Sequence, residues 1–160
     1  MIKVFGIGNI LLCDDGIGVK VAKYLLDNKH ILNSNIEIIV GETDYMYCID
    51  NIKKGDKVII IDSTYFNIPP GMITKIPLEK CDEFVSGDVT SHDISLLRIL
   101  RSEYREISGY LVGIEIDKID YDINLSEKLN DKFYDICYSV AKKINKVSKE
   151  KIYARSFYDV

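Results

Sequence analysis

"KVIIIDS", residues 57–63, decides the fold. Val58, Ile59, Ile60 and Ile61 follow one another without a polar break. A strand with one wet face would alternate, so this run predicts a central strand covered on both faces, as in a parallel sheet. The run ends in Asp62. Open parallel sheets place their sites beyond the C-terminal ends of their strands, so a carboxylate there is a candidate functional group.

Working outward, "IKVFGI" (2–7), "IEIIV" (36–40) and "YLVGIEI" (110–116) read as further strands. The turn residues of "NIPPGMITKIP" lead into a short strand over 71–76. Helices are predicted between them. Residues 16–28 carry Ile17, Val21, Ala22, Leu25 and Leu26 at helical spacing. A short helix over 44–54 ends at Gly55 and Asp56. "SHDISLLRILRSEY" starts with Ser91 as a plausible N-cap. Residues 125–147 place Leu125, Leu129, Phe133, Ile136, Val140 and Ile144 on one face. Strands alternating with helices predict an α/β fold with a largely parallel sheet. The 160 residues suit a single domain, with 148–160 read as a loosely held tail.

Composition excludes several classes of function. A net charge of −4 gives nucleic-acid binding no electrostatic support. No apolar run reaches the roughly 20 residues of a membrane helix, and no signal peptide is visible, so a cytoplasmic protein without membrane association is expected. Cys13, Cys48, Cys81 and Cys137 form no CxxC pair, which argues against a zinc ribbon or a thioredoxin-like site. Cys13 reads as a small, half-buried hydrophobe.

The first loop, "GIGNILLCDDGIG" (6–18), starts like a phosphate loop and then departs from it. The third glycine of a dinucleotide fingerprint is replaced by Leu11. Gly16 is followed by Ile17, so the Lys and Ser/Thr of a P-loop are missing. Asp14 and Asp15 would repel a pyrophosphate at the helix start. They suit a cation. Asn9, Asp14 and Asp15 follow the first strand, Glu42 and Thr43 the second, and Asp62 ends the third, while His92 starts a helix that can reach the same edge. Oxygen and nitrogen ligands of this kind fit zinc, nickel or manganese. Structural readings stand beside these. Asp14 can cap the first helix, and Asp15 can complement its dipole. Asp62 can bond a neighbouring loop, His92 can accompany Ser91 in a cap, and His30 reads as a solvated surface residue.

Together these residues resemble a known family, the nickel–iron hydrogenase maturation endopeptidases. Members typically begin G-x-G-N-x-L-x-x-D-(D/E)-G-x-G, matched here by Gly6, Gly8, Asn9, Leu11, Asp14, Asp15, Gly16 and Gly18. "IIIDS" matches the second acid, Asp62, and "TSHDISL" the histidine segment, His92. The resemblance implies a three-layer sandwich, phosphorylase/hydrolase-like, with a mostly parallel sheet flanked by helices. It implies an endopeptidase that removes a C-terminal extension from the nickel-loaded hydrogenase large-subunit precursor. Asp15, Asp62 and His92 are then the catalytic, metal-contacting residues. Nickel arrives with the precursor, no tightly bound cofactor of the protein's own is expected, and the protein is expected to be a monomer. Alternatives are a non-catalytic metal-centre chaperone, or an aspartate-dependent peptidase acting on another substrate such as a spore protein. Two departures stand out. "GETDY" has Glu42 and Tyr45 where members carry glycines, and a tyrosine takes a positive φ only at a cost. "GIEI" has Ile116 for a proline.

Overall fold

The apolar run forms β3 (Lys57–Thr64), with Val58, Ile59, Ile60 and Ile61 all 0% exposed. The computed structural model describes residues 1–81, 96–103 and 107–150. Among these, β1 (Ile2–Ile7), β2 (Ile36–Glu42), β4 (Ile73–Pro77) and β5 (Gly109–Glu115) join β3 in one sheet, ordered β2-β1-β3-β5-β4. β1 pairs in parallel with β2 and with β3, and β3 pairs in parallel with β5. β4 is the exception. It lies antiparallel to β5 at the sheet edge, where a strand ending in proline costs no central ladder bond.

Side chains alternate across the sheet and divide the core in two. Val4, Ile59, Ile61, Val112 and Ile114 meet α1 (Ile17–Asp27) and α5 (Phe133–Lys149). Phe5, Ile7, Val58, Ile60 and Leu111 meet α2 (Tyr45–Asp50) and α3 (Leu96–Glu103) on the other face. Each isoleucine buried this way contributes about 1.5–3 kcal/mol. The result is the expected α/β sandwich, with helices on both faces of a mostly parallel sheet. Gly18 sets how close α1 comes. A Cβ there would lie 2.3 Å from the Ile61 carbonyl oxygen and 2.5 Å from that of Ile7. The helix therefore rests directly on the ends of β1 and β3, and its start hangs over their C-terminal edge.

Several boundaries differ from the sequence reading. α1 starts at Ile17, after a 3-10 turn over Cys13–Gly16. α2 is shorter than 44–54. It stops at Asp50, and Gly55 (φ 89°) serves the next turn instead, where Asp56 accepts the Lys53 N–H. The helix expected over 125–147 is two helices, α4 (Glu127–Asp131) and α5, broken at Lys132. α5 runs on to Lys149, so the tail does not begin at 148. The Ser148 hydroxyl accepts from Asn33 Nδ2, and Glu150 accepts from the Tyr110 hydroxyl. Residues 151–160, and Ser91 with its expected cap, lie outside the described residues. No described helix is long and apolar enough to cross a membrane.

Candidate active site

β1 delivers the chain to the C-terminal edge of the sheet at Ile7. Gly8 then turns it with φ 130°, and a Cβ there would sit 2.1 Å from the Asp15 carbonyl oxygen. No other residue type fits a turn folded that tightly onto its own continuation. The turn brings Asp15 back over its start. One Asp15 oxygen, Oδ2, accepts the Asn9 N–H at 2.8 Å. The other, Oδ1, accepts the Ser63 hydroxyl at 3.0 Å. Asp62 Oδ1 accepts the Ser63 N–H at 2.8 Å. Asp15 and Asp62, distant in sequence, are thus both hydrogen-bonded to Ser63 at the end of β3, each only partly buried.

His92 lies outside the described residues. Among the described residues, no three His, Cys, Asp or Glu side chains stand where they could hold a metal ion. His30 is exposed, as a solvated histidine should be.

Asp14 has a different role from the one expected. It caps no helix: α1 has Gly16 at its N-cap and no side-chain cap bond. Asp14 is 0% exposed, and three backbone N–H groups converge on its carboxylate. Oδ2 accepts from Asp117 at 3.0 Å and Lys118 at 3.1 Å, and Oδ1 accepts from Ser126 at 2.7 Å. Charge-assisted bonds of this kind offset the desolvation of a buried carboxylate. Asp14 therefore fastens the 117–126 loop to the motif loop. Backbone bonds reinforce the seam: Cys13 N–H donates to the Asp122 carbonyl, and Asp122 N–H to that of Leu11. The adjacent aspartates divide the work, Asp14 turned into the protein and Asp15 toward the open edge.

Sequence reasoning passed over Glu115 as a functional or structural group. It is 1% exposed and accepts the Phe66 and Ile68 N–H groups and the Thr64 hydroxyl. It ties the loop after β3 to the end of β5. The available signal was a lone glutamate in the apolar strand "YLVGIEI".

The "GETDY" turn keeps its shape with strain at one position. Tyr45 starts α2 and has no positive φ, so the expected difficulty there does not arise. Glu42 has φ 50°, the left-handed region, and its carbonyl accepts the Gly8 N–H at 3.0 Å. Its side chain reaches Lys23 at 3.1 Å. Asp44, not the acids of the motif, caps α2, through the Tyr47 N–H at 2.9 Å.

Cys13 is not half-buried but 1% exposed. Burial and the neighbouring Asp14 charge push its thiol pKa up, the opposite of an activated nucleophile.

Three comparisons bear on this arrangement. The family model described as hydrogenase maturation protease matches residues 19–143, a span that holds Asp62 and His92 and begins just after Asp15. The hydrogenase expression/formation protein HupD of Thiocapsa roseopersicina is 30% identical over 86 residues, 54% of this chain and 38% of its own length. The chain thus spans well under half of that relative. A Methanocaldococcus jannaschii protein provisionally named a hydrogenase maturation protease is 28% identical over 151 residues, 89% of this chain and 97% of its own. The same fold is seen in the hydrogenase maturating endopeptidase HybD of E. coli. It has a TM-score of 0.73 at 24% identity, over 91% of this chain and 93% of that one.

Proposed function

The chain belongs to the hydrogenase maturation protease family, and from that premise we propose that it is an endopeptidase cutting a C-terminal extension from a nickel-loaded hydrogenase large-subunit precursor. The observation that carries the reading is the pairing of Asp15 and Asp62 at the open edge of β1 and β3, joined through Ser63.

Two carboxylates at such an edge suit a metal ion that arrives with the substrate. Asp15, Asp62 and His92 contact the precursor's nickel and hold the neighbouring peptide in the cleft. The nickel is cargo of the substrate, and the protein needs no cofactor of its own. Hydrolysis then requires an attacking water. Activation by the metal and proton removal by one carboxylate as general base both need the two acids aimed at the cleft. Covalent attack by Cys13 finds no support, because its thiol is buried and its pKa raised. The protein works as a monomer in the cytoplasm, where a precursor is assembled before it is cut.

The substitution Asp62→Asn tests the assignment. It should abolish processing of the precursor, followed by intact mass, while cooperative unfolding is preserved. Full processing by that variant refutes the role given to Asp62. Precursor binding by the wild-type protein without any cleavage would point to a metal-centre chaperone.

A further inference from the structure

One residue touches both acids, and neither composition nor motif singles it out. Ser63 donates its backbone N–H to Asp62 Oδ1 at 2.8 Å and its hydroxyl to Asp15 Oδ1 at 3.0 Å. We propose that Ser63 is a positioning residue that fixes Asp15 and Asp62 in the relative placement a substrate-borne cation meets. This rests on the reading of those two aspartates as metal-contacting residues.

Strand geometry explains why one residue can do this. Along β3, Ile59 and Ile61 belong to the core under α1, and Val58 and Ile60 to the opposite core. By the same alternation Ser63 falls on the α1 face, where Asp15 sits in the 3-10 turn that precedes α1, and Asp62 on the other. The two acids flank the strand end from opposite faces. Each is linked to the same residue, Asp15 to its side chain and Asp62 to its main chain. Two like charges brought to one edge repel each other and tend to swing apart. The two donors of Ser63 oppose that swing, its hydroxyl holding Asp15 and its N–H holding Asp62. The Asn9 N–H holds the second Asp15 oxygen, so the carboxylate plane is fixed at both ends. Each Asp15 oxygen accepts one of these bonds, and a carboxylate oxygen has room for a second partner. The clamp therefore orients Asp15 without blocking it.

The variants Ser63→Ala and Ser63→Thr separate positioning from bulk. Alanine keeps the N–H to Asp62 and deletes the link to Asp15. Threonine keeps both. Crystal structures of wild type and both variants read the Asp15 rotamer, and cleavage of nickel-loaded precursor reads kcat and KM. Removing an outer-shell partner typically costs 10–100-fold in metal affinity or activity. Ser63→Ala should accordingly lose about 10–100-fold in kcat/KM, with a fall in kcat, and show Asp15 in more than one rotamer. Ser63→Thr should restore both. The melting temperature should fall by no more than about 2–4 °C, the shift typical of losing a single partly exposed hydrogen bond in a domain of this size. An unchanged Asp15 in Ser63→Ala overturns the proposal whatever the rate does, and a displaced Asp15 with an undiminished rate overturns it too. If wild-type protein cleaves no precursor, the functional reading fails by itself. The Asp15 rotamer then decides alone: a single conformer in Ser63→Ala refutes the clamp, and a split one upholds it.

Discussion

Asparagine at position 14 keeps the volume of the aspartate and removes its charge, which isolates what the buried carboxylate does. Three N–H groups, from Asp117, Lys118 and Ser126, converge on it at 2.7–3.1 Å. An amide offers one acceptor oxygen. Placed where Oδ2 now sits, it keeps Asp117 and Lys118 and turns an NH2 group toward the Ser126 N–H. The shortest bond of the three is lost and a buried donor is left facing a donor. A lost charge-assisted bond costs roughly 1.5–3 kcal/mol, and an unsatisfied buried donor about 1–3 kcal/mol, partly the same energy. Asp14→Asn should therefore cost about 3 kcal/mol, a large share of the 5–15 kcal/mol typical of a domain. Urea unfolding gives the loss as a shift in midpoint at constant slope. Amide exchange shows where it falls, with protection lost first across 117–126. A loss under about 1 kcal/mol, or one that leaves exchange across 117–126 unchanged, would refute the role of Asp14 as the loop's anchor.

Glu42 sits at φ 50°, a conformation that costs a non-glycine residue roughly 1–2 kcal/mol. Glu42→Gly should hold or raise the unfolding midpoint even though the exposed pair with Lys23 is lost, because such pairs contribute about 0–1 kcal/mol. Glu42→Val should lower the unfolding free energy by more than about 1 kcal/mol, since a β-branched residue tolerates that region poorly. All four cysteines are buried, and burial first of all pushes the Cys48 and Cys137 thiols up to about 12. A thiol-reactive chromophore at neutral pH should find essentially no fast thiol in the native protein and all four in denaturant. A fast-reacting Cys13 would reopen nucleophilic catalysis. Burial by itself would raise the pKa of Glu150, but the Tyr110 hydroxyl bond and the Lys75 and Lys57 charges outweigh it and bring the net value below 4.5. A depressed carboxylate contributes stability that is present above its unfolded pKa and lost as pH falls through its folded one. The stability gap between wild type and Glu150→Gln should thus be full near pH 6 and close as the pH is lowered through about 4 and below. A gap that stays constant would contradict the Glu150 cluster.

What the sequence disclosed, and what it hid, follows from how far each signal travels. Residues 57–63 announce a buried central strand because four apolar neighbours leave no polar face, a purely local fact. Asp62 is legible for the same reason, as a charge where that run stops. Asp14 looked like a helix cap because a cap signal is also local, whereas its true partners lie 103, 104 and 112 residues away. The same distance hides the serine clamp: Ser63 follows Asp62 directly, but the bond that matters spans 48 residues. The break at Lys132 leaves no mark in the sequence pattern because the apolar stripe continues across it, with Leu129 and Ile136 buried in one core. The antiparallel course of β4 depends on which neighbour it chooses, a choice that its five residues do not encode.

The central claim is that Asp15 and Asp62 meet a metal brought by the substrate. Its most direct test is to incubate the protein with a hydrogenase large-subunit precursor from the same organism, once loaded with nickel and once without. Intact mass then reads the loss of a C-terminal peptide. Cleavage of the loaded form alone is the predicted result. Equal cleavage of both forms, or cleavage of neither, would contradict the claim.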